Sequence, residues 1–171
     1  MKTETTIFIA IVLLIIVIFK RKDVAMKGNE VINYNFDPAS KDYIKSQFEL
    51  LKQDYAKEVV EKVEKVYRLE TANFSSGQYR DSLSPGQVYS VDNDILPWNL
   101  NGYGVIGYSK GFTVGGKVYR YVAYENLYEA MRFLADYIIR WNGNESRWFS
   151  TVPNQQANYK DKLNKIDTLY V

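Results

Sequence analysis

A stripe of apolar residues with helical spacing is the feature that most restricts how this 171-residue chain can fold. Over residues 41–72 the apolar positions recur in steps of three or four, which predicts amphipathic helix packed on a core. The segment forms either one helix or two helices in succession with a break near Gln53 and Asp54. The stripe consists of Ile44, Phe48, Leu51, Tyr55, Val59, Val63, Val66 and Tyr67.

Glu70 places a carboxyl group on this apolar stripe, at an angle around the helix where a further apolar residue would be expected. At about 100° per residue, Glu70 lies on the line of Val63 and Val66. A carboxylate in that position must be paired inside the protein, face a cleft, or reach solvent, where Arg68 or Arg80 could pair with it. Because burial favours the protonated form of a carboxyl group, a Glu on an apolar face is also a candidate proton donor.

A small hairpin and two further helices are predicted downstream of an irregular stretch over residues 75–110. The segment "GFTVGGKVYRYVAY" indicates strands near 112–114 and 117–122, with a turn at Gly115 and Gly116. A long helix follows and stops at Gly143, and the tail predicts a final packing helix. The apolar positions of these two helices are Leu127, Met131, Leu134, Ile138 and Trp141, then Tyr159, Leu163, Ile166 and Tyr170.

These patterns predict one mainly α domain over residues 41–171, with α+β character from a small β-hairpin lobe. The hairpin places Tyr119 and Tyr121 on the same face, since side chains alternate along a strand.

The chain contains no Cys and no His. Disulfides, cysteine nucleophiles and Ser-His-Asp triads are therefore excluded, and we expect neither a metal nor a cofactor. Basic and acidic residues nearly balance, at 22 and 20, so nothing in the charge indicates a nucleic-acid partner. Any chemistry must use Asp, Glu, Ser, Tyr, Lys or Arg.

An unbroken apolar run, "IFIAIVLLIIVIF", lies close to the amino terminus. Its length falls between a signal-peptide core and a full membrane span. No cleavage site of small residues follows, so we predict a retained single-pass anchor over residues 1–22, in contact with lipid through residues 5–22. A cleaved signal peptide is the alternative. A linker is predicted over residues 23–40.

The basic residues around the anchor bear on its orientation. Lys20, Arg21 and Lys22 follow the apolar run, whereas Lys2 precedes it. The positive-inside tendency then places the domain in the cytoplasm or in the interior of a membrane-bounded particle.

The stretch "RLETANFSSGQYRDSLSPG" resembles the catalytic joint of the lysozyme-like superfamily, which includes bacterial lytic transglycosylases and glucosaminidases. In those families a helix ends in a catalytic Glu, followed by Ser or Thr, an aromatic residue and a Ser. The matching residues here are Glu70, Thr71, Phe74 and Ser76. The segment "VYRYVAYENLYEAMRFLADYI" also resembles the glucosaminidase type, and the resemblance spans roughly residues 54–147.

The resemblance implies a lysozyme-like fold and a membrane-anchored glycosidase that cleaves the glycan strands of bacterial peptidoglycan. A Gly-Leu-Met-Gln-like run typical of transglycosylases is absent, which favours the glucosaminidase-like type and leaves lytic transglycosylase as runner-up. Glu70 is then the general acid, and Tyr121 is the matching hairpin tyrosine. A second carboxylate is expected from the loop that carries Asp92 and Asp94, with Asp94 as our candidate.

Five further residues are candidates for contact with the sugar. Three of them have an alternative role: Ser76 as the cap of a turn, and Trp98 and Tyr103 as anchors of their loop. The catalytic candidate Tyr121 has the alternative of an ordinary cross-strand aromatic. The candidates are Phe74, Ser76, Trp98, Tyr103 and Tyr119.

Two other functions compete with the glycosidase. One is an inactive lysozyme-like protein that binds the wall or takes part in assembly, and the other is a membrane-tethered helical scaffold without sugar contact. A peptidoglycan hydrolase must reach the wall, so the anchor suggests either the bacterial envelope or an internal virion membrane of a phage.

Overall fold

The computed structural model describes residues 32–91 and 98–171. The predicted anchor, the first part of the predicted linker, and the loop residues Asp92 and Asp94 lie outside these described residues. Within the described part of the chain, no helix is long and apolar enough to cross a membrane.

The described residues form a mixed α+β domain of five α-helices, one 3₁₀ turn and a small antiparallel sheet. The helices are α1 (Lys41–Asp54), α2 (Lys57–Glu70), α3 (Gly77–Ser82), α4 (Leu127–Arg140) and α5 (Pro153–Leu163), with the 3₁₀ turn at Glu145–Trp148. The strands are β1 (Val88–Ser90), β2 (Val105–Tyr108), β3 (Phe112–Val114) and β4 (Lys117–Tyr124).

The helical segment predicted from the apolar stripe is confirmed, and it forms two helices in succession, α1 and α2. The hydroxyl oxygen of Ser40 caps α1 by accepting a hydrogen bond from the Tyr43 N–H. Extended backbone at Tyr55 and Ala56 separates the two helices. Both helices pack against α4, which lies at the centre of the helical part of the domain.

The predicted hairpin is confirmed as β3 and β4, and it belongs to a larger sheet with β4 in the middle. Tyr119 of β4 pairs with Ser90 of β1 and with Phe112 of β3, so β1 and β3 lie on opposite edges of β4. β2 pairs with the last part of β4. The expectation that residues 75–110 are irregular is wrong in part, because this stretch contains α3, β1 and β2.

Two details of the predicted helices are wrong. Trp141 follows the last residue of α4 and is 39% exposed, so it does not extend the buried face of that helix. The final helix ends at Leu163, and neither Ile166 nor Tyr170 lies on it. The chain instead folds back, and the Tyr170 ring stacks on Phe48 with a centroid separation of 5.3 Å.

The buried carboxylate of Glu64 holds this returning tail. Glu64 is 0% exposed, and its two oxygens accept hydrogen bonds from the N–H groups of Leu169 and Tyr170, at 2.5 and 3.0 Å. Arg68 lies 3.7 Å from Glu64 and donates to the carbonyl oxygen of Asp167. Since its hydrogen bonds are made within the fold, Glu64 is a structural carboxylate, although it lies on the same helix as Glu70.

The described end of the predicted linker, residues 32–40, packs onto the domain. The hydroxyl of Tyr34 donates to the carbonyl of Tyr124 at 2.7 Å, and the carbonyl of Pro38 accepts from the Tyr79 hydroxyl at 2.7 Å. Asp37 pairs with Arg80 at 3.2 Å. The domain therefore begins before residue 41, because these contacts tie the preceding segment to α3 and β4.

Candidate active site around Glu70

Glu70 is the last residue of α2, and its carboxyl group is partly buried. Its Oε1 atom accepts a hydrogen bond of 2.6 Å from the hydroxyl of Tyr159 on α5. The two arginines that could have neutralised it are engaged elsewhere, Arg68 with Glu64 and Arg80 with Asp37. The interpretation of Glu70 as a helix-end carboxylate paired with arginine is therefore wrong.

Burial raises the pKa of the Glu70 carboxyl group above its ordinary value. Removing a carboxylate from water disfavours its charged form, and this is the largest effect on Glu70. The hydrogen bond from Tyr159 and the positive charge of Lys162 act in the opposite direction and are smaller. Glu70 therefore keeps its proton to a higher pH than an exposed glutamate does.

The turn after Glu70 contains three consecutive non-glycine residues with positive φ: Ala72 at 50°, Asn73 at 56° and Phe74 at 63°. This left-handed region is costly for residues that carry a Cβ, and such strain persists only where the surroundings hold it. Buried Thr71 supplies much of that support. Its hydroxyl donates to the Tyr67 carbonyl and accepts from the Phe74 N–H at 2.9 Å.

Phe74 also supports the turn, because its ring is in the core. It is 2% exposed and contacts the rings of Phe48, Tyr67, Tyr79 and Tyr170. The prediction that Phe74 contacts the sugar does not fit this placement, since the folded chain leaves almost none of the ring open to a ligand. Its aromatic character instead stabilises the turn that follows Glu70.

The hairpin brings Tyr121 into the electrostatic field of Glu70. Burial raises the pKa of the Tyr121 phenol, and the negative charge of Glu70 raises it further. The rings of Tyr121 and Tyr119 lie 4.9 and 5.9 Å from the ring of Phe112, on one face of the hairpin as predicted. Tyr121 is thus a cross-strand aromatic and a neighbour of Glu70 at once.

The other three predicted sugar contacts have structural roles in the fold. Ser76 caps α3, its hydroxyl oxygen accepting from the Tyr79 N–H at 3.2 Å. Trp98 packs on Phe133 of α4, and the Tyr103 hydroxyl donates to Asp136 of the same helix at 2.7 Å. These contacts match the alternatives of capping and loop anchoring. Trp98 and Tyr103 remain partly exposed, so their contact with a sugar stays a prediction.

The structure adds two residues that the sequence did not indicate as functional. Tyr159 was predicted only as a core residue of the last helix, yet its hydroxyl is the hydrogen-bond partner of Glu70. Glu145 is buried in the 3₁₀ turn, lies 3.6 Å from Lys62, and its charge also acts on the Tyr159 phenol. Tyr159 therefore lies within the electrostatic fields of two carboxyl groups.

A separate polar cavity of about 760 Å³ lies between α2, the 3₁₀ turn and α5. Its charged lining includes Lys62, Lys65, Lys160 and Glu145, whereas Glu70 does not line it. On α2, Lys62 and Lys65 lie on a different face of the helix from Glu70. Within residues 32–91 and 98–171, no cluster of three acidic side chains is placed to hold a metal ion.

Comparisons of the chain with protein-family models, curated proteins and solved structures found no match.

Replacing Tyr159 with phenylalanine is expected to raise the pKa of Glu70 further. The phenol stabilises the ionised carboxylate by donating to Oε1, and phenylalanine keeps the ring but removes that donor. Carbon-detected NMR titration of the glutamate carboxyl groups would measure the change. Tyr119→Phe removes a hydroxyl from the hairpin and should leave the Glu70 titration in place. An unchanged or lowered pKa of Glu70 in Tyr159→Phe would contradict the assignment of the Tyr159 hydroxyl as the donor that stabilises the Glu70 carboxylate.

Proposed function

We propose that this chain is a glycosidase that cleaves the glycan strands of bacterial peptidoglycan, with a lysozyme-like domain and Glu70 as general acid. One observation carries the proposal: a partly buried Glu at the end of a helix, with a raised pKa, has a hairpin tyrosine as its electrostatic neighbour. The strained turn that follows it supports the same conclusion, because backbone strain often accompanies functional sites.

The chemistry needs a proton donor for the leaving oxygen and stabilisation of an oxocarbenium-like transition state. Burial raises the pKa of the Glu70 carboxyl group, so Glu70 keeps this proton to a higher pH than an exposed glutamate does. Tyr159 donates to Oε1 of Glu70, which leaves Oε2 to hold the proton and deliver it to the glycosidic oxygen. On the hairpin side of the site, the Tyr121 phenol is a second polar group, and it lies within the electrostatic field of Glu70.

The second catalytic role stays with Asp94 as a prediction. An inverting enzyme uses a second carboxylate about 6.5–9.5 Å from the acid, and a retaining enzyme uses a nucleophile about 5–5.5 Å away or the acetamido group of the substrate. Asp94 lies in sequence between β1 and Trp98, outside the described residues, and β1 pairs with β4 so that Val88 is opposite Tyr121.

The proposal includes attachment of the chain to a membrane through its amino-terminal residues. Residues 5–22 would anchor the chain in a lipid bilayer and hold the domain near its polymeric substrate, in the bacterial envelope or in an internal virion membrane. A glucosaminidase-like hydrolysis is proposed, with lytic transglycosylase activity as the runner-up.

Mass spectrometry of digested peptidoglycan tests the proposal. The purified full-length chain, kept in a mild detergent, is incubated with insoluble peptidoglycan, and the soluble products are separated and weighed. We expect muropeptides with reducing N-acetylglucosamine ends, whereas anhydro ends would indicate a transglycosylase. Binding to insoluble peptidoglycan without any release would favour the inactive wall-binding protein. Neither binding nor release would favour the membrane-tethered scaffold.

A further inference from the structure

Phe149 is a large aromatic residue that the fold leaves unusually open. It follows the 3₁₀ turn, and its side chain is 55% exposed. The ring is nevertheless not free on both faces. It lies parallel to the ring of Tyr159, with a centroid separation of 4.9 Å and an interplanar angle of 2°. One face of Phe149 is therefore covered by Tyr159, and the exposed area is available to a ligand.

This stack connects Phe149 to the candidate acid. Tyr159, which lies under Phe149, is the residue whose hydroxyl donates to Glu70 at 2.6 Å. Tyr159 itself is 3% exposed, so the open aromatic surface beside this hydrogen bond belongs to Phe149. A ligand whose scissile bond lies at Glu70 would extend across the neighbouring surface. The Tyr159 ring lies between Phe149 and the Glu70 carboxyl group.

The backbone that carries Phe149 is held by its neighbours. The Phe149 N–H donates to the Ser146 carbonyl, and the indole N–H of Trp148 donates to the Pro85 carbonyl at 3.2 Å. Trp148 also packs on Trp98 and Tyr137. A ring fixed in this way loses little conformational freedom on binding, which is what a stacking platform requires.

Polar residues follow Phe149 along the chain. Ser150 is the next residue, and its hydroxyl donates to the Gln155 side chain. The Gln156 amide donates to the Ser150 carbonyl at 2.9 Å. These hydrogen bonds hold the chain directly after Phe149. The exposed ring itself is an apolar surface of the kind that stacks on the C–H face of a pyranose.

We propose that Phe149 is a substrate-binding residue that stacks on the apolar face of an N-acetylhexosamine ring, next to the bond presented to Glu70. The proposal rests on the proposed function for the identity of the ligand. Tyr159 has two tasks in it: its hydroxyl positions Glu70, and its ring supports Phe149 from behind.

Binding of chitotetraose, a soluble N-acetylglucosamine oligomer, tests this assignment. The full-length Glu70→Gln variant serves as the parent, so that cleavage does not disturb the measurement by isothermal titration calorimetry. Adding Phe149→Ala should weaken binding roughly three- to ten-fold, the loss expected for one aromatic contact. Phe149→Trp keeps a flat ring and should keep the affinity. Leu50→Ala, at an exposed apolar position on α1, should change nothing.

The outcomes separate this inference from the proposed function. Equal affinity with and without Phe149→Ala would overturn the assignment, as would a parent that binds no oligosaccharide while the wild-type chain still releases muropeptides. In both cases a wild-type chain that digests peptidoglycan keeps the proposed function. Weakened binding in Phe149→Ala, rescued by Phe149→Trp, supports the assignment even if the wild-type chain cleaves nothing.

Discussion

Replacing Glu70 with glutamine is expected to abolish the release of soluble muropeptides from purified peptidoglycan, with a loss of roughly 10²–10⁴-fold in rate. Glutamine has nearly the same shape as glutamic acid but cannot give up a proton. The leaving oxygen would then depart without protonation, which is the step that Glu70 is proposed to assist. The initial rate of release, followed by chromatography of the soluble products, measures the effect.

Stability measurements distinguish this loss from misfolding. In Glu70→Gln the amide oxygen of the new side chain can still accept the Tyr159 hydrogen bond. Because the pKa of Glu70 is raised in the folded state, the folded protein binds its proton more tightly than the unfolded chain does. Stability therefore falls as pH rises from the unfolded pKa to the folded one, and the cost persists above it. Glu70→Gln removes that cost and should be at least as stable as the wild type at neutral pH.

A matched control lies on the same helix. Glu58 is exposed in the first turn of α2, so Glu58→Gln makes the same chemical change without touching the site. It should keep the full rate of release. If Glu70→Gln releases muropeptides as fast as Glu58→Gln, then Glu70 is not the general acid.

Local patterns in the sequence predicted the long helical segments and the β3–β4 hairpin, but not α3, β1 or β2. The step of three or four gave the helical segment of α1 and α2, since one buried face per helix imposes that spacing. The Gly115–Gly116 turn gave the hairpin, because both residues have positive φ in the structure. The angle of Glu70 on its helix left three environments open for its carboxyl group, and in the structure that group is partly buried and hydrogen-bonded to Tyr159.

Partners that are distant in sequence could not be predicted in this way. Periodicity shows which face of a helix is buried but not what covers it. Tyr159 lies 89 residues after Glu70, and Leu169 lies 105 residues after Glu64. Glu64 carries the same charge as Glu58 and Glu61 on the same helix, and only the returning tail explains its burial.

The turn after Glu70 shows a second limit of prediction from the sequence. Its sequence places Phe74 four residues beyond the acid, close to the position of a substrate contact in the resembling families. The three positive φ values redirect the chain so that the ring enters the core instead. Such backbone angles are rare for residues with a side chain, so the spacing of residues alone does not predict them.

Replacing Phe74 with alanine is expected to lower the free energy of unfolding by about 3–5 kcal/mol, the range for truncating a buried phenylalanine. The ring is 2% exposed and contacts four other aromatic rings, so its removal leaves a cavity that rigid neighbours fill poorly. The change also frees the strained turn at Ala72 and Asn73, which Phe74 helps to hold. Urea unfolding followed by tryptophan fluorescence gives the free energy.

The same substitution at Phe149 provides the comparison, since it removes the same ring from a position that is 55% exposed. Phe149→Ala should cost about 0.5–1.5 kcal/mol, because it removes the stack on Tyr159 without leaving a buried cavity. It should weaken binding of the oligosaccharide instead. Phe74 would then stabilise the fold instead of contacting the sugar. Phe149, for which the sequence suggested no role, would contact the sugar. A Phe74→Ala variant as stable as the wild type would show that this ring is not part of the core, and would restore it as a candidate for substrate contact.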